Sequence, residues 1–97
     1  MDKYYSKEIE ELFRVILSID DMETCKNFFE DICTIKEIQD MAQRLKVACE
    51  LKNGKNYQEI SKSTGASTAT ISRVNKCILY GSGGYNSVLQ SKEKNNE

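Results

Sequence analysis

Histidine is absent from the 97-residue chain, and with it the side chain that exchanges protons most readily near neutral pH. The carboxylates concentrate on the outward faces of the first helical segments, and no acid, base and nucleophile converge in sequence, so enzymatic activity is not expected. The same absence bears on metals. Cys25, Cys33, Cys49 and Cys77 stand at separations that match no zinc pattern and have no histidine to complete a site. Each lies inside an apolar helical pattern, so buried free thiols are expected, with no metal and no cofactor. Long apolar runs are missing too: no segment approaches the roughly 18 residues that suggest a membrane span. The N-terminus lacks a basic-then-apolar signal region, and a cytoplasmic location is therefore expected. An alternating strand pattern appears nowhere, which leaves helix as the only regular structure.

What is present suits one compact domain, with 39 % apolar and 30 % charged residues. The net charge of −1 hides an asymmetry. Residues 1–40 hold eleven acidic side chains against five basic ones, a balance of −6, whereas residues 41–80 hold seven basic against two acidic, a balance of +5. A basic half reads either as a face for a polyanion, since clustered Lys and Arg release counterions on meeting phosphate, or as an ordinary solvated face.

Apolar residues recur at helical spacing along most of the chain. Ile9, Leu12, Phe13, Ile16 and Leu17 predict a helix over about 6–18, with Ser6 as its cap. Asp20 and Asp21 interrupt the pattern and open a second helix over about 21–32, carrying Met22, Cys25, Phe28, Phe29 and Ile32. Thr34 and Glu37 have the spacing of a capping box and begin the longest helix, about 35–52. Its apolar positions are read as Ile38, Met41, Ala42, Leu45, Ala48, Cys49 and Leu51, and it stops at Asn53-Gly54, where glycine takes a left-handed cap conformation. Three such helices on so short a chain have more apolar surface than a monomer buries easily, which favours self-association over a monomeric bundle.

The segment 57–74, Tyr-Gln-Glu-Ile-Ser-Lys-Ser-Thr-Gly-Ala-Ser-Thr-Ala-Thr-Ile-Ser-Arg-Val, has the form of a helix-turn-helix within 56–79. A short helix over 57–64, capped by Asn56, leads to a turn at Gly65-Ala66. A second helix over 67–80 is capped by Ser67. Ile60, Ile71, Val74 and Ile78 face inward, small Ser61 lets the helices approach, and Gly65 supplies the positive φ the turn favours. Thr68, Ala69, Ser72, Arg73 and Lys76 are left outward. Short side chains at a helix N-terminus let the backbone enter a major groove roughly 12 Å wide, where hydroxyls and methyls meet base edges. A plain helical hairpin with a solvated basic face is the competing reading.

The run Gln43-Arg44-Leu45, Gly54 and Gly65-Ala66-Ser67-Thr68-Ala69-Thr70-Ile71-Ser72-Arg73 resembles the Trp repressor superfamily, in particular its YerC/YecD-type branch, to which Tyr57-Gln58-Glu59-Ile60 and Tyr80-Gly81-x-Gly83-Gly84-Tyr85 are also similar. The resemblance covers most of residues 5–90. It implies an all-α fold: a Trp-repressor-like helical bundle with a C-terminal helix-turn-helix, assembled as an intertwined homodimer on double-stranded DNA. Base contacts then fall on Thr68, Ala69 and Ser72. Gln58, Lys62, Ser67 and Lys76 are assigned to phosphate, with Arg73 also in the DNA-binding set. In the Trp repressor two arginines sandwich the indole of tryptophan and a threonine helps hold it, positions that match Arg44, Arg73 and Thr34. Here Val74 replaces the glycine after the second arginine and crowds that pocket, and the connection before the helix-turn-helix is one residue shorter. Tryptophan is not expected as a corepressor, and Arg44 and Arg73 are read as structural or phosphate-contacting.

The glycines at 81, 83 and 84 lack the Lys-Ser/Thr of a phosphate-binding loop and read as a helix stop. A further docked turn is expected over 85–89, with the domain ending at residue 90 and a flexible polar tail over 91–97. The expected function is a sequence-specific transcriptional regulator of repressor type. The rival is a helical protein-interaction adaptor using the helix-turn-helix as a scaffold.

Overall fold

The computed structural model describes the backbone of residues 5–95 and the side chains of residues 5–90. Among these residues there are six α-helices and no strand: α1 (Lys7–Ser18), α2 (Met22–Ile32), α3 (Ile35–Lys52), α4 (Tyr57–Thr64), α5 (Thr68–Tyr80) and α6 (Gly84–Asn95). The starts are fixed locally. Ser6 accepts from the Ile9 N–H at 3.2 Å, Asp21 from the Thr24 N–H at 2.8 Å and Ser67 from the Thr70 N–H at 3.1 Å. Thr34 and Glu37 close the reciprocal box at 3.1 and 2.8 Å, and Asn56 and Glu59 close a second one, both bonds 2.9 Å. Each such side chain satisfies a backbone N–H that has no partner within its helix.

The chain divides between Ile38 and Gln39 into two compact units. In the first, α1 and α2 contain no buried residue. Tyr5 meets Phe13 edge to face at 5.5 Å, as Phe28 meets Phe29, yet Leu17 is 84 % and Met22 75 % exposed. The second unit has a true core of Val47, Ala48, Ile60, Ala66, Ile71, Val74 and Leu89, with Leu51, Tyr57, Ile78 and Tyr85 packed against it. Here α4 packs on α5 and α5 on α6.

Three expectations need correction. Ala48 of the expected inward stripe of α3 is buried, together with Val47 and Glu50, which lie outside that stripe, whereas its Met41, Ala42 and Leu45 are exposed. The helix carries apolar residues on more than one face, and periodicity alone does not say which one the chain covers. None of the four thiols is fully buried. Cys25, Cys33 and Cys49 are half-buried and Cys77 is exposed, and all four are free. At the C-terminus, the expected docked turn is instead the start of a helix that continues through Asn95. Gly83, with φ +85°, reverses the chain; the Asn86 amide then donates to the Ile78 carbonyl at 3.2 Å and accepts from the Lys52 ammonium at 2.8 Å. Leu89 enters the core, and no glycine or proline follows to stop propagation. Residues 96 and 97 of the expected tail lie outside the described residues.

Candidate nucleic-acid interface

The helix-turn-helix is α4, the turn at residues 65–67 and α5. Ile60 and Ile71 are wholly buried and Val74 is 2 % exposed, so these three side chains hold the two helices on the core. Burying each is worth roughly 1.5–3 kcal/mol. The turn is tied by hydroxyls. Gly65 has φ +77° and its N–H donates to the Ser61 carbonyl at 2.8 Å. The Ser61 hydroxyl donates to the Ala66 carbonyl at 2.8 Å, and Thr64 Oγ1 donates to the Ile60 carbonyl at 2.7 Å while accepting the Ala66 N–H at 3.1 Å. Ser61 is thus more than a small residue permitting approach; its oxygen spans the turn. Residue size suggested the approach, but nothing in the spacing marked the bond.

The helix α3 grips the end of α4. Gln43 Nε2 donates to the Thr64 carbonyl at 3.2 Å, which gives the first residue of the Gln43-Arg44-Leu45 run a physical role. Two turns further along α3, Glu50 is 6 % exposed. Its Oε1 accepts from the Ser63 hydroxyl at 3.3 Å and lies 3.2 Å from Lys55 Nζ, while Oε2 lies 3.6 Å from Lys46 Nζ. The Lys55 hydrogen bond holds this carboxyl below its ordinary value of 4.5 against the opposing effect of burial, with further help from the Lys55 and Lys46 charges and the Ser63 hydroxyl. Sequence reading singled out neither Glu50 nor this cluster.

Of the residues proposed from sequence to face DNA, Gln58 and Lys62 stand exposed on α4, and Thr68, Ala69, Arg73 and Lys76 stand exposed on α5, with Ser72 half-buried among them. Ser67 is exposed at the cap, its hydroxyl also donating to Thr70 Oγ1 at 3.2 Å. All eight lie in the second unit. Among the described residues, Arg44, Lys62, Arg73 and Lys76 take part in no ion pair. Of the three positions matched to a ligand pocket, Thr34 belongs to the first unit and its oxygen caps α3; Arg44 and Arg73 belong to the second and are exposed.

A capped short helix, a left-handed glycine turn and a second helix with small exposed residues in its first turns define a helix-turn-helix protein of all-α architecture. The chain belongs to the Trp repressor protein family, whose model matches residues 7–93 and so spans both units. It is similar to the protein YerC of Bacillus subtilis (strain 168), with 53 % identity over 89 residues, 92 % of this chain and 86 % of that one. Among solved structures it resembles a TrpR-like protein from Eubacterium eligens ATCC 27750, at 45 % identity and TM-score 0.90 with 94 % of each chain covered. It also resembles a provisionally assigned Trp repressor from Staphylococcus aureus, at 42 % identity and TM-score 0.90 over 94 % of this chain and 91 % of that one. The family is one of DNA-binding regulators rather than enzymes. No helix among the described residues is long and apolar enough to cross a membrane.

Proposed function

We propose that this protein is a homodimeric, sequence-specific repressor that occupies an operator through the major groove. The observation that carries the reading is the division of α5: Ile71 and Val74 are buried while Thr68, Ala69, Arg73 and Lys76 are exposed from its first turn onward. Such a helix is held rigidly by one face and presents short side chains, backbone N–H groups and cations on the other. Thr68, Ala69 and Ser72 meet base edges; Gln58, Lys62, Ser67, Arg73 and Lys76 meet phosphate.

A second copy supplies cover for the apolar residues that this chain leaves exposed, Leu17, Met22, Ile32 and Ile35 in the first unit and Leu79 and Tyr80 at the end of α5. Two-fold symmetry then sets two recognition helices against inverted half-sites. Arg44, Arg73 and Thr34 are not assigned to tryptophan, because the residue after Arg73 is the branched Val74 where the Trp repressor has glycine. A regulator of this kind acts in the cytoplasm, where the DNA of its bacterial relatives lies.

Selection of bound molecules from a random duplex pool at moderate salt tests the reading. Enrichment of two inverted half-sites about one helical turn, roughly 10 bp, apart is expected. Binding without enrichment would reduce the role to an architectural one, and no binding would favour the protein-interaction adaptor.

A further inference from the structure

The charge balance of +5 over residues 41–80 counts every lysine alike, but the structure does not treat them alike. Lys46 and Lys55 converge on one carboxylate, Glu50, whose side chain is only 8 % exposed. The two lysine side chains are themselves 62 % and 48 % exposed, but drawing either ammonium out to a phosphate takes one of three polar partners from a buried carboxylate, which costs more than opening a wholly exposed pair. Lys62, Arg73 and Lys76, on the helix-turn-helix itself, have no such tie among the described residues. Glu50 also holds the Ser63 hydroxyl, next in sequence to Lys62, so the cluster lies against the same helix that carries a candidate phosphate contact.

We propose that Glu50 is a positioning residue that withholds Lys46 and Lys55 from nucleic acid, so that phosphate binding is carried by the cations of the helix-turn-helix and sequence-independent affinity is kept low. The inference rests on duplex DNA being the partner. Its consequence is discrimination: the fewer the cations free to meet any backbone, the larger the share of binding that depends on Thr68, Ala69 and Ser72 reading bases.

The test is the dependence of association with a random-sequence duplex on salt, measured for the full chain and single variants. Each lysine that meets a phosphate contributes about 0.9 to the slope of log K against log salt. Lys62→Gln is expected to lower the slope by about one, whereas Lys46→Gln and Lys55→Gln are expected to leave it unchanged. Glu50→Gln frees both ammonium groups and is expected to steepen the slope by about one to two, raising association roughly fivefold per ammonium near 0.15 M salt. A purely structural Glu50 would lower the melting temperature of that variant and leave its slope alone. The proposal is overturned if Lys55→Gln lowers the slope as Lys62→Gln does, or if folded Glu50→Gln keeps the original slope. Should Glu50→Gln not fold, a slope lowered by either lysine variant still overturns the proposal. Absence of any duplex binding by the unaltered protein would sink the DNA reading and this inference together, whereas binding with a Lys62 effect isolates a failure to Glu50.

Discussion

Helices α1 and α5 are built on the same apolar period and have opposite surroundings. In α5, Ile71 and Val74 are closed off by Ile60, Val47 and Leu89 within the second unit. In α1, Leu17 is 84 % exposed and no residue of the helix is buried. The charges divide likewise, with −6 over residues 1–40 and +5 over residues 41–80. An amphipathic stripe therefore states that a face needs cover, without saying whether its own chain supplies it. On the proposed reading, the helix that must hold its orientation against DNA finds its cover locally, and the helix that a second copy would cover does not.

Ile71→Ala strikes the locally covered side and should have the largest effect. It removes a wholly buried side chain from between α4 and α5, at a cost of about 2–5 kcal/mol in urea denaturation. Because the lost cover is within the chain, this cost should not depend on protein concentration. Leu17→Glu attacks the other side. It places a charge on a face that a second copy would bury, and sedimentation should show dimer dissociation promoted by tenfold or more, equivalent to about 1.4 kcal/mol. Unchanged assembly would mean that α1 is not part of the dimer contact, and the contrast between the halves would need another cause.

Much of this was readable from residues alone, and the reasons are local. Caps at Ser6, Asp21, Thr34, Asn56 and Ser67 act over three residues, and the left-handed turns at Gly54 and Gly65 over fewer, so spacing exposes them directly. What escaped was non-local. Ala48 is legible as an inward position, but whether Met41 and Leu45 or Val47 join it in the core depends on where α4 and α5 return. The partners of Glu50 lie 4, 5 and 13 residues away, and only the fold brings Lys46, Lys55 and Ser63 to one carboxylate. Likewise the extension of α6 through Asn95 follows from the docking of Asn86 and Leu89 on distant elements, which a reading of the polar residues beyond Gln90 does not contain.

Gly65→Ala tests whether the turn itself, apart from the packing on either side, fixes the presentation of α5. The added Cβ would meet nothing closer than Gln43 Nε2 at 4.0 Å, so the penalty comes from holding a non-glycine residue at φ +77° and should be about 1 kcal/mol. Thermal unfolding should show this modest loss. If α4 and α5 keep their register, binding to an enriched operator should weaken no more than stability does; a much larger loss of binding would show that the turn adjusts the recognition helix directly.

The smallest expected effect separates the two units by acid. In the first, Asp21 accepts the Thr24 backbone N–H, and this bond chiefly, aided by the Thr24 hydroxyl, holds its carboxyl below the ordinary 3.8. In the second, Glu50 is held below 4.5 mainly by Lys55. Both groups have folded values beneath their unfolded ones, so each contributes stability that is fully present above the unfolded value and is lost as pH falls through the folded one. Unfolding measured from pH 6 down toward pH 3, an interval chosen at roughly the carboxylate range, should therefore show stability falling in the unaltered protein. Asp21→Asn should flatten the part of that fall that begins near 3.8 and runs below it, since asparagine still caps the helix but does not titrate, and Glu50→Gln should flatten the part that begins near 4.5. If neither substitution changes the acid limb, the cap and the ion cluster do not contribute to it, and the pH dependence of each unit belongs to other carboxylates.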